Sequence, residues 1–199
     1  VTPLLNIELP RGRFKVFSEK PSFEFLSVHQ VHGTEILSAD SHDLSLQSAD
    51  GITVTRAYAG PALAIKTADC LPIIVLGKNG YAALHAGWKG LAAGILSSEK
   101  LKAIEPDFFF IGPFIHACCY EVSSDFEKYF PASKALASKN GKVCFDLGLE
   151  AETRINLIFP GAHVKVSPVC TSCDKHFHSY RRNRTDKRNW NIYLPTGSK

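Results

Sequence analysis

Reactive side chains are concentrated in three short segments: His29-Gln30-Val31-His32-Gly33, Thr67-Ala68-Asp69-Cys70-Leu71-Pro72 and His85-Ala86-Gly87-Trp88-Lys89-Gly90. Each sets a histidine or cysteine at the end of an apolar run and beside a turn, where a rigid scaffold displays reactive groups. Two imidazoles and one thiolate, from His32, Cys70 and His85, make a good zinc set, and three protein ligands leave a fourth position for water or substrate. Such an ion polarises a phosphoryl oxygen or lowers the pKa of a bound water toward about 7. The intervals between the three residues are long, so spacing alone leaves three separately buried side chains as the plainer account. The same residues also permit a different chemistry, with Cys70 as nucleophile and His85 as its base. Asp69, next to Cys70, can orient a ligand or move a proton, and a structural role is the expectation. His29 reads as a structural or rim histidine.

The remaining cysteines and cations offer rival sites. Cys170-x-x-Cys173 followed by His176-x-His178 has the residue types of a closed zinc site, but with tighter spacing than usual fingers. Cys118-Cys119 is expected to pack within a loop, and Cys144, between Val143 and Phe145, in the core. Arg181 and Arg182 present planar donor forks suited to phosphate or ribose. Lys175–Arg188 carries six basic residues and one acid, with Phe177, Tyr180 and Trp190 around it. That composition suits nucleic acid, but a net charge of only +4 favours a solvated face with an anion clamp. Eight histidines with one His-x-His pair do not supply a trinuclear copper cluster and a blue-copper site, so laccase chemistry is rejected.

The elements that must position these residues follow from periodicity. Phe23–Val28, Ile52–Thr55, Leu63–Lys66, Ile73–Leu76, Tyr81–Leu84, Phe108–Ile111, Val164–Val169 and Ile192–Leu194 read as strands, with a hairpin break over Gly77–Gly80. Glu35–Leu37 reads as extended and Ser38–Ser48 as a polar loop. Trp88–Ile104 reads as one helix stopped by Pro106. Ser124 with Glu127 opens a second near a capping box, and Asp146 caps a third through Phe159. Val1–Lys20, with Pro3, Pro10 and Gly12, reads as irregular. No regular βαβ rhythm and no glycine-rich nucleotide loop appear, so a mixed α/β fold around sheet is expected. The 199 residues suit one domain able to bury its own core. No stretch approaches the roughly 20 apolar residues of a membrane span, and no signal peptide is visible, so free thiols in a cytoplasmic setting are expected.

Taken together and in this order, the three reactive segments resemble the YfiH, or laccase-domain, family, also called multicopper polyphenol oxidases or peptidoglycan editing factors. The resemblance continues in Ala49-Asp50-Gly51, in Gly112-Pro113-Phe114-Ile115-His116-Ala117-Cys118-Cys119-Tyr120-Glu121-Val122 and in Ser179-Tyr180-Arg181-Arg182, covering roughly residues 28–194. It implies a single domain over 1–199 with a layered α/β/β/α sandwich of mixed sheets, residues 1–22 being a shortened irregular segment. It also implies zinc held by His32, Cys70 and His85, and phosphorolysis of adenosine, inosine and methylthioadenosine with adenosine deamination as a side activity. Catalysis then falls to Cys70, His85 and Asp69, and substrate binding to Arg181 and Arg182. The chain departs from the family in lacking a T-R-x-G-G loop before His32, in Lys89 where arginine is usual, and in Asn183 where an acid is common. Expected partners are a purine nucleoside and phosphate, in a monomer or homodimer, without membrane or nucleic acid. The alternatives are a Cys-His hydrolase of cell-wall precursors and a non-catalytic RNA-binding module.

Overall fold

Every residue of Leu71–Gly77 and Gly80–Ala86 is buried. A near-continuous apolar run of this kind belongs inside a sheet covered on both faces. The computed structural model describes residues 1–41, 44–55, 58–139 and 141–197. Its strands are β1 (Leu5–Leu9), β2 (Gly12–Phe17), β3 (Ile36–Ser38), β4 (Gly51–Val54), β5 (Leu63–Thr67), β6 (Leu71–Gly77), β7 (Gly80–Ala86), β8 (Pro106–Ile111), β9 (Glu121–Val122), β10 (Leu136–Lys139), β11 (Lys142–Phe145), β12 (His163–Val166) and β13 (Asn189–Pro195). Its α-helices are α1 (Trp88–Ala92), α2 (Glu99–Lys102), α3 (Leu147–Ile158) and α4 (Tyr180–Asn183).

The apolar hairpin β6–β7 is the centre of a six-stranded sheet in the order β12-β8-β6-β7-β4-β3. Its edge pairs are parallel and its inner pairs antiparallel, so the sheet is mixed. A four-stranded antiparallel sheet, β1-β2-β13-β5, packs on one face. Phe14, Val16, Leu63, Ile65 and Tyr193 from the smaller sheet share a core with Ile52, Ile74, Leu76, Tyr81 and Phe110 from the larger. On the other face Leu91, Ile95, Ala151 and Ile155 from the helical segments meet Ile73, Val75, Leu84 and Phe109. Each such side chain contributes about 1.5–3 kcal/mol by leaving water. A third sheet, β10-β11-β9, brings Phe145 against Phe126 and Phe130. The outer face of the four-stranded sheet carries a small cluster of Phe17, Ala62, Ala64 and Ile192, covered by Phe25 and Trp190.

Several elements differ from expectation, each for a physical reason. The N-terminal segment is not irregular: β1 and β2 form a hairpin turning at Pro10-Arg11, with Phe14 and Val16 fully buried. Its alternation is real but short, and β2 finds its second partner in β13, far along the chain. Phe23–Val28 makes only an isolated bridge, Leu26 to Leu63. The expected helix over Trp88–Ile104 is divided into α1, a 3-10 turn at Ile95–Ser97, and α2. Gly94, in the left-handed region, breaks it, and the Ser98 hydroxyl accepts the Lys100 amide to start α2. Ser124–Tyr129 is a 3-10 turn, with no side-chain cap. Asp146 does cap α3, accepting the Leu149 amide at 2.9 Å. The polar loop over Ser38–Ser48 includes residues 42 and 43, which lie outside the described residues.

Candidate metal centre

Sheet register brings the three reactive segments together. In β6–β7, Leu71 lies opposite Ala86, so Cys70, just before β6, falls beside His85 and Gly87. In β4–β7, Gly51 lies opposite Leu84, and the His85 amide donates to the Asp50 carbonyl at 2.7 Å. His32 enters from the turn before β3. The ligand atoms of His32, Cys70 and His85 all lie within 4.8 Å of one another, and the two imidazoles meet edge to face at 4.6 Å. His85 is buried, Cys70 half-buried and His32 exposed, so the cluster is open on one side. Gly87 closes in from below: a Cβ there would sit 3.0 Å from the Cys70 sulfur and 3.3 Å from the His32 ring. Two imidazoles and a thiol converging on one point, open to a cavity, fit a tetrahedral ion with one exchangeable position.

Asp50 is the residue that sequence reasoning missed as a site component. Its carboxylate is fully buried. It accepts the amides of Val31 (3.3 Å), His32 (2.9 Å) and Gly33 (2.6 Å), and pairs with His85 Nδ1 at 2.7 Å. One carboxylate therefore shapes the His32 turn and leaves the other ring nitrogen of His85, Nε2, as the ligand atom. These bonds hold His32 at a φ of 63°, a left-handed conformation that a lone histidine adopts only at some cost. Burial pushes the Asp50 carboxyl up, but the His85 and amide bonds bring it below the ordinary carboxylate range. The signal that could have found it is Ala49-Asp50-Gly51, a lone acid at the head of an apolar strand.

The thiol and the imidazole perturb each other strongly. Burial raises the Cys70 pKa, but the charge of His85 and bonds from His32 and His85 bring it down to about 6. Burial lowers that of His85, but the Cys70 thiolate and Asp50 lift it to about 9. Without an ion the pair is thus a thiolate and an imidazolium near neutral pH.

The other predicted residues divide between cavity and scaffold. Asp69, buried and at a φ of 96°, has both carboxylate oxygens engaged. One accepts the Thr171 hydroxyl (2.7 Å) and the other the Arg181 amide (2.6 Å). Arg181 lines the cavity, bonded to the Glu121 carbonyl at 2.7 Å and lying over the Tyr120 ring. Arg182 does not line it: its guanidinium donates to the carbonyls of Thr171, Ser172, Asp174 and Phe177. Those backbone oxygens outcompete any outward pose, so Arg182 is a loop clamp rather than the substrate fork expected of it. The cavity, about 970 Å³, is lined by the triad, by the cations Lys66, Arg181, Arg184 and Arg188, and by Trp88, Tyr120 and Tyr180. His29 stands on its wall. His176 and His178 turn elsewhere, to Asp174 and to the Ser18 carbonyl. Among the described residues, no helix is long and apolar enough to cross a membrane.

The chain is similar to known proteins along most of its length. The chain is 33% identical over 196 residues to a purine nucleoside phosphorylase of Aquifex aeolicus, covering 92% of this chain and 90% of that protein. It is 31% identical over 199 residues to the purine nucleoside phosphorylase YfiH of Shigella flexneri, covering 92% and 78%. Among solved structures it is similar to a Neisseria meningitidis protein, with a TM-score of 0.72 and 29% identity over 85% of this chain and 74% of the other. It is likewise similar to YlmD of Geobacillus stearothermophilus, with a TM-score of 0.71 and 28% identity over 86% and 73%. The family described as multi-copper polyphenol oxidoreductase laccase matches residues 8–192. With the match running over nearly the whole sequence, the chain belongs to that family, alongside the YfiH proteins.

Proposed function

We propose that this chain is a zinc-dependent purine nucleoside phosphorylase, acting on adenosine, inosine or methylthioadenosine with phosphate and deaminating adenosine as a side activity. The observation that carries this reading is the open His32-Cys70-His85 triad on the wall of a cavity that also presents four cations and three aromatic rings. The names of the relatives support the phosphorylase part of it. His32, Cys70 and His85 would hold the zinc, which when bound would supply a Lewis acid for a substrate or water oxygen.

The chain's own residues account for the rest. Lys66, Arg181, Arg184 and Arg188 suit a phosphate dianion, and burial with the charges of Arg188 and Lys20 already holds the Lys66 pKa below its ordinary value. An anion among them relieves that repulsion. Trp88, Tyr120 and Tyr180 offer faces for a purine. In phosphorolysis a phosphate oxygen bonds to the ribose C1′ while the bond from C1′ to the purine nitrogen breaks. The developing positive charge on the sugar is then met by the bound phosphate. Asp69 serves as a positioning residue, tying Arg181 to the strand end that carries Cys70.

The test is chromatographic. Zinc-loaded protein with phosphate should yield free base and ribose 1-phosphate from adenosine or inosine, and adenine and 5-methylthioribose 1-phosphate from methylthioadenosine, while adenosine alone with water should yield inosine and ammonia. No free base from any of the three would overturn the reading. The thiolate-imidazolium pair of Cys70 and His85 favours a second reading, a Cys-His hydrolase of cell-wall precursors. That enzyme would withstand chelators and be abolished by alkylation, whereas the zinc-loaded phosphorylase should fail on chelation and resist alkylation until its zinc is removed.

A further inference from the structure

Four cysteines that are far apart in sequence meet beside the cavity. Cys118 and Cys119 lie in the turn after β8, and Cys170 and Cys173 in the turn after β12. The Cys118 sulfur lies 3.7 Å from that of Cys119, 3.8 Å from Cys170 and 3.6 Å from Cys173, and the Cys119 and Cys173 sulfurs are 3.4 Å apart. All four lie within 4.8 Å of one another, and all are free thiols. A tetrahedral ion with zinc–sulfur bonds near 2.3 Å sets its thiolates about 3.8 Å apart, the edge of the tetrahedron. A disulfide needs about 2.05 Å. The separations are those of ligands around a single ion.

We infer that Cys118, Cys119, Cys170 and Cys173 form a second metal site, a closed tetrathiolate that binds one zinc ion. The His116 amide donates to the Cys170 sulfur at 3.4 Å, and the Ser172 and Cys173 amides donate to it as well. Such N–H groups stabilise a metal-bound thiolate and fix its direction. Binding breaks four S–H bonds, forms four Zn–S bonds and releases four protons to solvent, with no change of oxidation state. The product carries a net charge of −2. Arg182, beneath the Cys170–Cys173 turn, and Arg181, whose guanidinium reaches the Cys119 carbonyl at 3.5 Å, supply nearby positive charge. All four positions are filled by protein, so the ion has no place for substrate and its work is structural. It would fasten the loop carrying Tyr120 to the loop leading to Arg181, both of which wall the cavity.

Cobalt and zinc binding test this on the intact chain. The reduced Cys70→Ala variant removes the only thiolate of the triad, so it should still bind one zinc. With cobalt it should give intense thiolate-to-metal absorption and tetrahedral d–d bands. A Cys70→Ala protein that binds no zinc and gives no such absorption would overturn the site, as would a disulfide between these cysteines in freshly isolated wild type. Adding Cys173→Ser, at an exposed position, to Cys70→Ala should lose most of that absorption, while Cys173→Ser alone should keep the triad ion and its single-thiolate band. Alkylation of zinc-loaded wild type needs no variant: the four thiols should resist and become reactive after chelation. Reaction of all four at the chelated rate would sink the site. Reaction of Cys70 alone would tell against the triad and leave this site standing.

Discussion

The triad and the four-cysteine knot are joined through one residue, yet they are built on opposite principles. Two members of the triad, Cys70 and His85, sit at the ends of fully buried strands and are set by sheet register, Leu71 opposite Ala86 and Gly51 opposite Leu84, while the Asp50 carboxylate sets His32. The knot grows from two turns and owes its shape to local amide bonds and to Arg182. Asp69 links them, following Thr67 of β5 and reaching Thr171 inside the Cys170–Cys173 turn. The triad keeps one side open because His32 faces the cavity, and three ligands cannot enclose an ion. The knot has four sulfurs, enough to fill every position of a tetrahedral ion. A rigid sheet end thus suits an exchangeable position, while paired loops need a closed cross-link to hold a wall in place.

Breaking the triad should have the largest effect. Cys70→Ala should abolish metal binding at the triad and lower turnover roughly a thousandfold, the loss of several kcal/mol of Lewis-acid stabilisation. Its melting temperature should shift by no more than about 4 °C, since the thiol is only half-buried. Retention of both the triad ion and turnover would refute the assignment. Next comes Asp50→Asn, which keeps the volume but sets a donor against His85 or the Gly33 amide. A triad affinity weakened about 10–100-fold, with the four-cysteine site unmoved, is the expectation from competition titrations. Equal weakening at both sites would mean that Asp50 supports the fold generally.

Proton release sharpens the contrast further. The metal-free triad holds Cys70 ionised above pH about 6 and His85 protonated below pH about 9. An incoming ion must therefore displace the His85 proton between these limits. Triad affinity should rise about tenfold per pH unit from 7 to 9 and flatten above, read by calorimetry in buffers of different ionisation enthalpy. A flat profile across that interval would show that the pair has already lost its proton without metal. The smallest effect expected is from Arg188→Ala at the cavity wall: KM for phosphate up by about tenfold, with kcat changed less. An unchanged KM would place phosphate elsewhere among the cations.

Much of this was legible before any coordinates. The strands β4 to β8 and β13 stand where apolar and β-branched runs occur, and α3 starts at the acid that caps it. His32, Cys70 and His85 stood out as strand-end residues of ligating type. The β1–β2 hairpin was hidden because Pro3, Pro10 and Gly12 read as irregular structure, when Pro10 and Gly12 flank Arg11 in a tight turn. The three-stranded sheet β9–β11 was hidden because its strands are short and half-exposed, without a clean alternation. Arg182 read as a substrate fork because a guanidinium has the same donors for phosphate and for carbonyls, and only the surrounding loop decides which it meets.

The sequence by itself determined the local chemistry: which side chains can ligate, which runs must be buried, and where turns and caps interrupt them, since each depends on neighbours a few residues away. Tertiary structure decided the rest. It turned Asp50 from a strand-leading acid into the carboxylate that sets both His32 and His85. It left His176 and His178 out of the cysteine cluster and put Cys118 and Cys119 into it. Distances between residues 50 to 100 positions apart follow from sheet register and loop packing, and no spacing along the chain encodes them.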